Sequence, residues 1–397
     1  MHLSSTFIAG LLLASAEGVL GGSRFWEAKA PNKRTNPSPD YAAIETLNAT
    51  SRLVKRAISI ENRADDNSVS RIWPNKKIKY CFEDKDENTN VIIRGLWKQA
   101  RDLWAPLIRH GFSYEEVSDS VCESQRSTVL RIHYNDKGRL ASTLGIPNID
   151  EAANEADPEN AIVGPYTHLS DTEGIGQDDI AANVAHELGH VWGLLHEHQN
   201  PYYWRVSPSD SANGWSFPSV KGATTRFQTS GFNCQSLKDH DTAHASVRTK
   251  IATAIADGNR PLQVQLETDL SRLCISQVVA GKHKFSAAEW LPLPNTVHLV
   301  ADDQFDPDSL MMYPSGAGGT GSGDGRAQVM VYENNDPIPN RLAPSGMDVD
   351  RLITLYGTPA SSTTGEPYTS KSSKVRSGFK KARSMLFRAG DTKAGLC

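Results

Sequence analysis

The segment His186–Glu197 restricts the local fold more than any other part of this chain. His186 and His190 lie four residues apart, so in a helix both side chains project from one face. His196 follows His186 by ten residues, which would place it about 15 Å further along an uninterrupted helix. The spacing predicts that the helix ends near Gly193, because glycine accepts the positive φ with which a chain turns back. All three imidazoles can then meet at one point.

Three imidazoles gathered in this way are a typical ligand set for a zinc ion whose fourth position stays open. The sequence therefore indicates His186, His190 and His196 as zinc ligands. Glu187 borders the same face of the helix, where its carboxylate can take a proton from a water that zinc polarises. A bare His-Glu-x-x-His run also occurs by chance, but the glycine and the third histidine at fixed offsets make a chance match rare. The pattern predicts metal-dependent hydrolysis with Glu187 as general base.

A second motif, Ser309–Tyr313, lies far downstream and has the form Ser-x-Met-x-Tyr. With this motif, and with Glu197 directly after the third histidine, the chain resembles the astacin family of the metzincin zinc peptidases. The resemblance implies that Met311 forms a hydrophobic floor under the three imidazoles. It also implies that Tyr313 is a fifth zinc ligand that moves to stabilise the oxyanion, and that Glu197 contacts the buried amino terminus of the mature enzyme.

The resemblance extends in patches over about residues 70–357, including a strand-like run at 78–82 and a closing helix that Ser345 and Asp348 would cap. It implies an α+β fold of the metzincin type, with a twisted mixed sheet and helices in the N-terminal lobe. The active-site helix would lie at the cleft, above an irregular C-terminal lobe. The stretch between the third histidine and the methionine turn is longer than is usual in the family, so residues 205–300 are predicted to be an insertion.

Hydrophobic periodicity and β-branched content predict further elements. Asp178 and Asp179 are expected to cap the active-site helix, whose apolar stripe and small residues predict that it is buried between the two lobes. The predicted elements are helices over residues 90–107 and 243–257 and strands over residues 129–134 and 161–163.

The chain has five cysteines. Four of them, Cys81, Cys122, Cys234 and Cys274, allow three disulfide connectivities, and they do not follow the family's usual positions. Local pairing of Cys81 with Cys122 and of Cys234 with Cys274 is the arrangement we expect. Cys397 is the odd cysteine, and we expect it to be free or paired with another molecule.

The first residues have the composition of a secretory leader. The apolar run Phe7–Leu13 is too short to span a bilayer, and Ala14–Ala16 has the small-x-small form of a signal-peptidase site. The polar segment that follows contains two candidate basic cleavage sites, so we expect the mature chain to begin after Arg56 or after Arg63. The predicted division is a signal peptide over 1–16, a pro-segment over 17–63, a catalytic domain over 64–357 and a disordered basic tail over 358–397.

These observations predict a secreted zinc endopeptidase whose partners are protein or peptide substrates and a protease that removes the pro-segment. The formal net charge of −4 argues against nucleic acid as a partner, and no membrane-spanning run follows the leader. One alternative is a secreted binding protein that keeps the fold without turnover, which has no chemical need for Glu187. Another is a different metzincin branch, and Glu197 favours the astacin-like interpretation over it.

Overall fold

The computed structural model describes residues 59–60, 72–83, 86–147, 149, 151–156, 161–212, 214–215, 225–294, 299–300 and 305–357. The predicted signal peptide, most of the predicted pro-segment with both basic cleavage sites, and the predicted basic tail lie outside these residues.

A five-stranded, mostly parallel sheet forms the core of the N-terminal half, in the order β3-β2-β4-β6-β5. Only β5, at one edge, is antiparallel to its neighbour. The predicted strands at 78–82 and 129–134 are confirmed as β2 and β4. The strands of this half, in chain order, are β1 Ser59–Ile60, β2 Lys77–Phe82, β3 Ser113–Glu116, β4 Leu130–Tyr134, β5 Ala141–Ser142 and β6 Tyr166–Leu169.

The strand predicted at 161–163 is wrong, because those residues are irregular and the strand starts at Tyr166. The reason is local. Asn154 binds both backbone groups of Ile162 through its side-chain amide, donating to the carbonyl at 3.0 Å and accepting from the N–H at 2.8 Å. Backbone groups satisfied in this way are not available to a neighbouring strand. Pairing with β4 begins only at the carbonyl of Pro165.

Helices cover this sheet, and the predicted first helix is confirmed with different ends. Asp86 caps its start by accepting a hydrogen bond from the Thr89 N–H. The α-helix stops at Leu103 and continues as 3-10 turns over Ala105–His110, where Pro106 cannot donate the backbone hydrogen bond of an α-helix. The helices of this half are α1 Glu87–Leu103, α2 Asp119–Ser124, α3 Glu151–Ala156 and α4 Ile180–Trp192.

The second half of the chain is less regular and has its own buried core, which includes Trp204, Phe227, Trp290 and Tyr313. The helix predicted over 243–257 is confirmed as α5, and the sequence interpretation missed α6 directly after it. Besides short 3-10 helices, the strands and α-helices described in this half are β7 Trp204–Arg205, β8 Phe227–Gln228, α5 His240–Ala256, α6 Arg260–Arg272, α7 Gln277–Lys282, β9 Leu299–Val300 and α8 Gly346–Leu355.

Both expected disulfides are present. The Cys81–Cys122 bond joins β2 to α2, and the Cys234–Cys274 bond joins the segment before α5 to the segment directly after α6. Each bond therefore lies within one half of the molecule. Within the part of the chain that the structure describes, we find no helix with the length and apolar character needed to cross a membrane.

The short strand β1 lies in the range that the sequence assigns to the pro-segment, yet it is built into the folded core. Ser59 and Ile60 pair antiparallel with Val300 and Leu299 of β9, and both side chains of β1 are buried. The Ile60 N–H donates to the Gly193 carbonyl at 2.9 Å. This strand thus connects β9 to the end of α4.

Candidate metal centre

The buried helix α4 carries the first two histidines and the glutamate of the motif. Asp179 caps its start by accepting from the Ala182 N–H at 2.8 Å. Asp178, which the sequence also suggests as a cap, instead adopts a left-handed backbone with φ of 59°. Gly193 ends the helix with φ of 105°, as its glycine character predicts. The residues from Ala182 to Trp192 are all buried.

The structure brings the three predicted ligands together. His190 Nε2 lies 2.9 Å from His186 Nε2 and 3.0 Å from His196 Nε2. All three side chains are buried, and their donor atoms form one group within the reach of a single metal ion. The turn after Gly193 therefore delivers the third imidazole to the face of α4 that carries the other two.

Each imidazole is oriented through its other ring nitrogen. The Nδ1 atoms of His186, His190 and His196 lie 2.9, 2.8 and 2.9 Å from the Leu310 carbonyl, the Leu194 carbonyl and Gln199 Oε1 respectively. Oxygen atoms of this kind only accept, so each Nδ1 must carry the proton and donate it. The Nε2 lone pairs consequently point at one another.

This donor set fits a zinc ion. Three nitrogen lone pairs that converge within hydrogen-bond distance repel one another unless a cation lies between them, and zinc binds imidazole nitrogen at about 2.0–2.1 Å. Burial lowers the pKa of His186 to about 4. Burial, together with the neighbouring imidazoles, holds the pKa values of His190 and His196 well below the ordinary value. The neutral form that a metal requires is thus favoured before any metal binds.

Glu187 lies beside the triad with one oxygen bound and the other unpaired. Its Oε2 accepts from Ser142 Oγ at 2.6 Å, and Ser142 Oγ lies 2.7 Å from Thr167 Oγ1. Its Oε1 is buried and has no hydrogen-bond partner within the described ranges. Burial raises the pKa of Glu187 to about 8, against the opposing effect of the Ser142 hydrogen bond. A nearby metal cation would act in the other direction.

The methionine turn lies directly against α4. A Cβ atom at Gly189 would stand 2.5 Å from Met311 Sδ, so the side chain of Met311 fills the space that this glycine leaves. The Tyr313 ring lies 4.2 Å from the His196 ring and 5.7 Å from the His186 ring, measured between centroids. Met311 thus packs against α4 at Gly189, and the Tyr313 ring lies beside two of the imidazoles.

Glu197 and His198 are buried residues next to His196, and both bind the backbone of neighbouring loops. Glu197 accepts from the Asp306 N–H through Oε1 at 3.1 Å and donates its own N–H to the Met311 carbonyl at 3.2 Å. His198 lies 2.7 Å, through Nε2, from the carbonyl of Glu289, and burial lowers its pKa to about 3. Both residues thus help to fix the loops on either side of the third histidine.

Several groups at the site escaped the sequence interpretation. Gln199 follows His196 by three residues, and its side-chain NH₂ group is fixed by the carbonyls of Ala288 and Leu291. Glu289 is buried with Oε2 at 3.8 Å from His196 Nδ1. Gln199 could have been noticed from its place in the motif. Ser142 and Glu289 are far away in sequence and carry no local signal.

A second group of potential metal ligands, formed by Cys234, His240 and Cys274, does not fit a metal ion. Its two sulfur atoms are joined in the disulfide, and a metal requires thiolates.

A mostly parallel sheet, a buried motif helix and three converging histidines define a mixed α/β protein with a candidate metal centre. No protein-family model matches the chain, and no curated protein matches it. Among solved structures it is similar to myroilysin, with 14% identity over 77% of this chain and 100% of the other and a TM-score of 0.37. It is also similar to high choriolytic enzyme 1, a hatching enzyme zinc-protease from the medaka fish Oryzias latipes. That match has 14% identity over 72% and 95% of the two chains and a TM-score of 0.36.

Proposed function

We propose that this protein is a zinc-dependent endopeptidase. The observation that carries the proposal is the convergence of three buried Nε2 atoms beside a glutamate with one unpaired carboxylate oxygen. Bound zinc would supply a Lewis acid for the scissile carbonyl and would lower the pKa of a nearby water. The peptide nature of the substrate is inferred from the astacin-like form of the two sequence motifs.

Four side chains of this protein then have separate roles in the hydrolysis. Glu187 accepts the proton of the attacking water through its unpaired oxygen and passes it to the departing amine. Ser142 holds the other oxygen of Glu187 and so fixes the direction of the carboxylate. The Tyr313 hydroxyl donates a hydrogen bond to the developing oxyanion, and Met311 supports the imidazoles from below.

We further propose that the enzyme is a secreted precursor, with a signal peptide over 1–16 and a pro-segment that a basic-site protease removes. The leader-like residues at the start of the chain support secretion. Two disulfides agree with folding in an oxidising compartment.

The proposal is tested by assaying processed protein with a quenched-fluorescence peptide mixture, before and after treatment with a zinc chelator. We expect chelation to abolish cleavage and added Zn²⁺ to restore it. Glu187→Gln should retain zinc and lose about 10²–10⁴-fold in rate, because a general base contributes that much. His190→Gln should lose both zinc and activity.

His133→Gln is the matched control, since this histidine lies on β4, outside the triad, and stacks on His168. It should leave zinc content and cleavage unchanged. Cleavage that survives both chelation and Glu187→Gln would refute the proposal. A protein that binds zinc and peptides without cleaving them would instead be a binding protein.

A further inference from the structure

Asp348 is a buried carboxylate on α8 whose hydrogen bonds exceed what helix capping needs. Oδ2 accepts from the Ser345 N–H at 2.9 Å, and Ser345 Oγ accepts from the Asp348 N–H at 2.9 Å. These two bonds form the capping box that the sequence predicts. Asp348 accepts two further hydrogen bonds from outside the helix, from the Leu310 N–H at 2.8 Å and from Ser309 Oγ at 2.7 Å.

The two further bonds hold the peptide group that orients His186. Ser309 Oγ, which donates to Asp348, accepts from the Met311 N–H at 3.0 Å. That N–H belongs to the same peptide plane as the Leu310 carbonyl, which accepts from His186 Nδ1 at 2.9 Å. Two hydrogen-bond paths therefore set the direction of this carbonyl. One runs from Asp348 to the Leu310 N–H, and the other runs from Asp348 through Ser309 Oγ to the Met311 N–H.

Only a carboxylate suits this position. Asp348 receives three donors on two oxygens. An asparagine has a single acceptor oxygen and would present an NH₂ group to one side. If that group faces Ser309, the serine hydroxyl loses the acceptor that fixes its orientation. The contact to the Met311 N–H would then be weakened as well.

We propose that Asp348 is a positioning residue for the metal ligand His186, acting through the backbone of the methionine turn. Hydrogen-bond partners behind a metal-binding histidine fix the ring, and their loss typically costs 10–100-fold in metal affinity. The inference rests on the proposed function in one respect, because it takes His186 to be a metal ligand.

The alternative is that Asp348 serves only to cap α8. The two roles are separated by measuring the zinc dissociation constant of the processed protein by competition with a chromophoric chelator, well below the unfolding temperature. The visible spectrum of the Co²⁺-substituted protein reports ligand geometry independently. Asp348→Asn should weaken zinc binding about 10–100-fold and alter the Co²⁺ spectrum.

Leu352→Ala is the matched control for lost stability, because Leu352 is buried on the same helix and its side chain has no polar group to bind the turn. It should lower the unfolding temperature and leave the zinc affinity unchanged. Ser309→Ala removes the path to the Met311 N–H while leaving the Asp348 bonds to Ser345 and Leu310. It should weaken zinc binding in the same direction as Asp348→Asn, and the double variant should lose less than the two effects combined.

Should Asp348→Asn fail to fold, Ser309→Ala carries the test alone. Unchanged zinc affinity and an unchanged Co²⁺ spectrum in the folded variants would overturn the proposal and leave Asp348 as a cap. If His186→Ala itself binds zinc as tightly as the parent protein, the proposed function has failed. That outcome is distinct from a failure of Asp348 alone.

Discussion

Gly189 shows how a single missing side chain shapes the site. It lies on α4 between the two histidines, and an added Cβ would stand 2.5 Å from Met311 Sδ and 3.2 Å from Trp104 Cζ2. Met311 is buried, and its backbone is held by Ser309 and Glu197. The methionine therefore has little room to retreat.

We expect Gly189→Ala to destabilise the protein by about 1–3 kcal/mol through overpacking, and to reduce peptide cleavage by displacing the methionine turn that packs against α4. Gly95→Ala is the matched control. Gly95 also lies within a helix, α1, but nothing lies within 4 Å of its added Cβ. Gly95→Ala should stabilise the protein by about 0.5–1 kcal/mol. Thermal unfolding and cleavage rates check both, and equal effects of the two variants would contradict the argument.

At the scale of elements, β1 links the end of α4 to the middle of α8. Its Ile60 N–H binds the Gly193 carbonyl at the end of α4, and the Ile60 side chain packs where a Cβ at Gly193 would be. Arg351 of α8 donates from Nε to Ser59 Oγ at 2.8 Å. The strand therefore contributes to the same core as the motif helix.

This position of β1 discriminates between the two basic cleavage sites. A cut after Arg63 would separate the strand from the enzyme chain, whereas a cut after Arg56 leaves it attached. We expect the amino-terminal sequence of the processed protein to begin at Ala57. Arg56→Ala should block maturation and Arg63→Ala should not. A mature enzyme that starts at Ala64 and retains full stability would show that β1 is dispensable.

Most of what the sequence predicted has a local signal, and most of what it missed depends on distant contacts. Helix α6 is an exception, because its cap Asn259 and the proline in its first turn are local signals that went unused. Helix α4, its end at Gly193 and the capping box of α8 follow from spacing and from residues within one turn. The false strand at 161–163 resembled a strand in composition, and only the contact from Asn154 excludes it. Gln199 could have been predicted from the sequence, because it follows His196 by three residues. Glu289 and the hydrogen bonds from Asp348 to the methionine turn could not have been predicted, because their partners are distant in sequence.

On the scale of the whole molecule, the methionine turn is where the two hydrophobic cores meet. Met311 belongs to the core around the sheet and α4, and the next residues, Met312 and Tyr313, belong to the core of the second half. Trp290 of the second half packs on Tyr313 at 5.1 Å and on His198 at 5.0 Å, between ring centroids. The candidate metal centre is therefore built from side chains of both halves.

The two disulfides allow the contribution of each half to be tested, because they close loops of nearly equal length, 41 and 40 residues, in different halves. Loop entropy alone predicts that each contributes about 4 kcal/mol to stability. We expect a Cys234→Ser/Cys274→Ser variant and a Cys81→Ser/Cys122→Ser variant to lose similar stability.

The effects of the two double variants on the site should differ, because Cys81 and Cys122 belong to a small separate cluster, whereas Cys234 shares a core with Trp290 and Tyr313. Below both unfolding temperatures, loss of the Cys234–Cys274 bond should weaken zinc binding and expose residues 225–294 to limited proteolysis, while loss of the other bond should do neither. Equal zinc affinity and equal proteolysis in the two variants would show that the second half folds around the site without help from its disulfide.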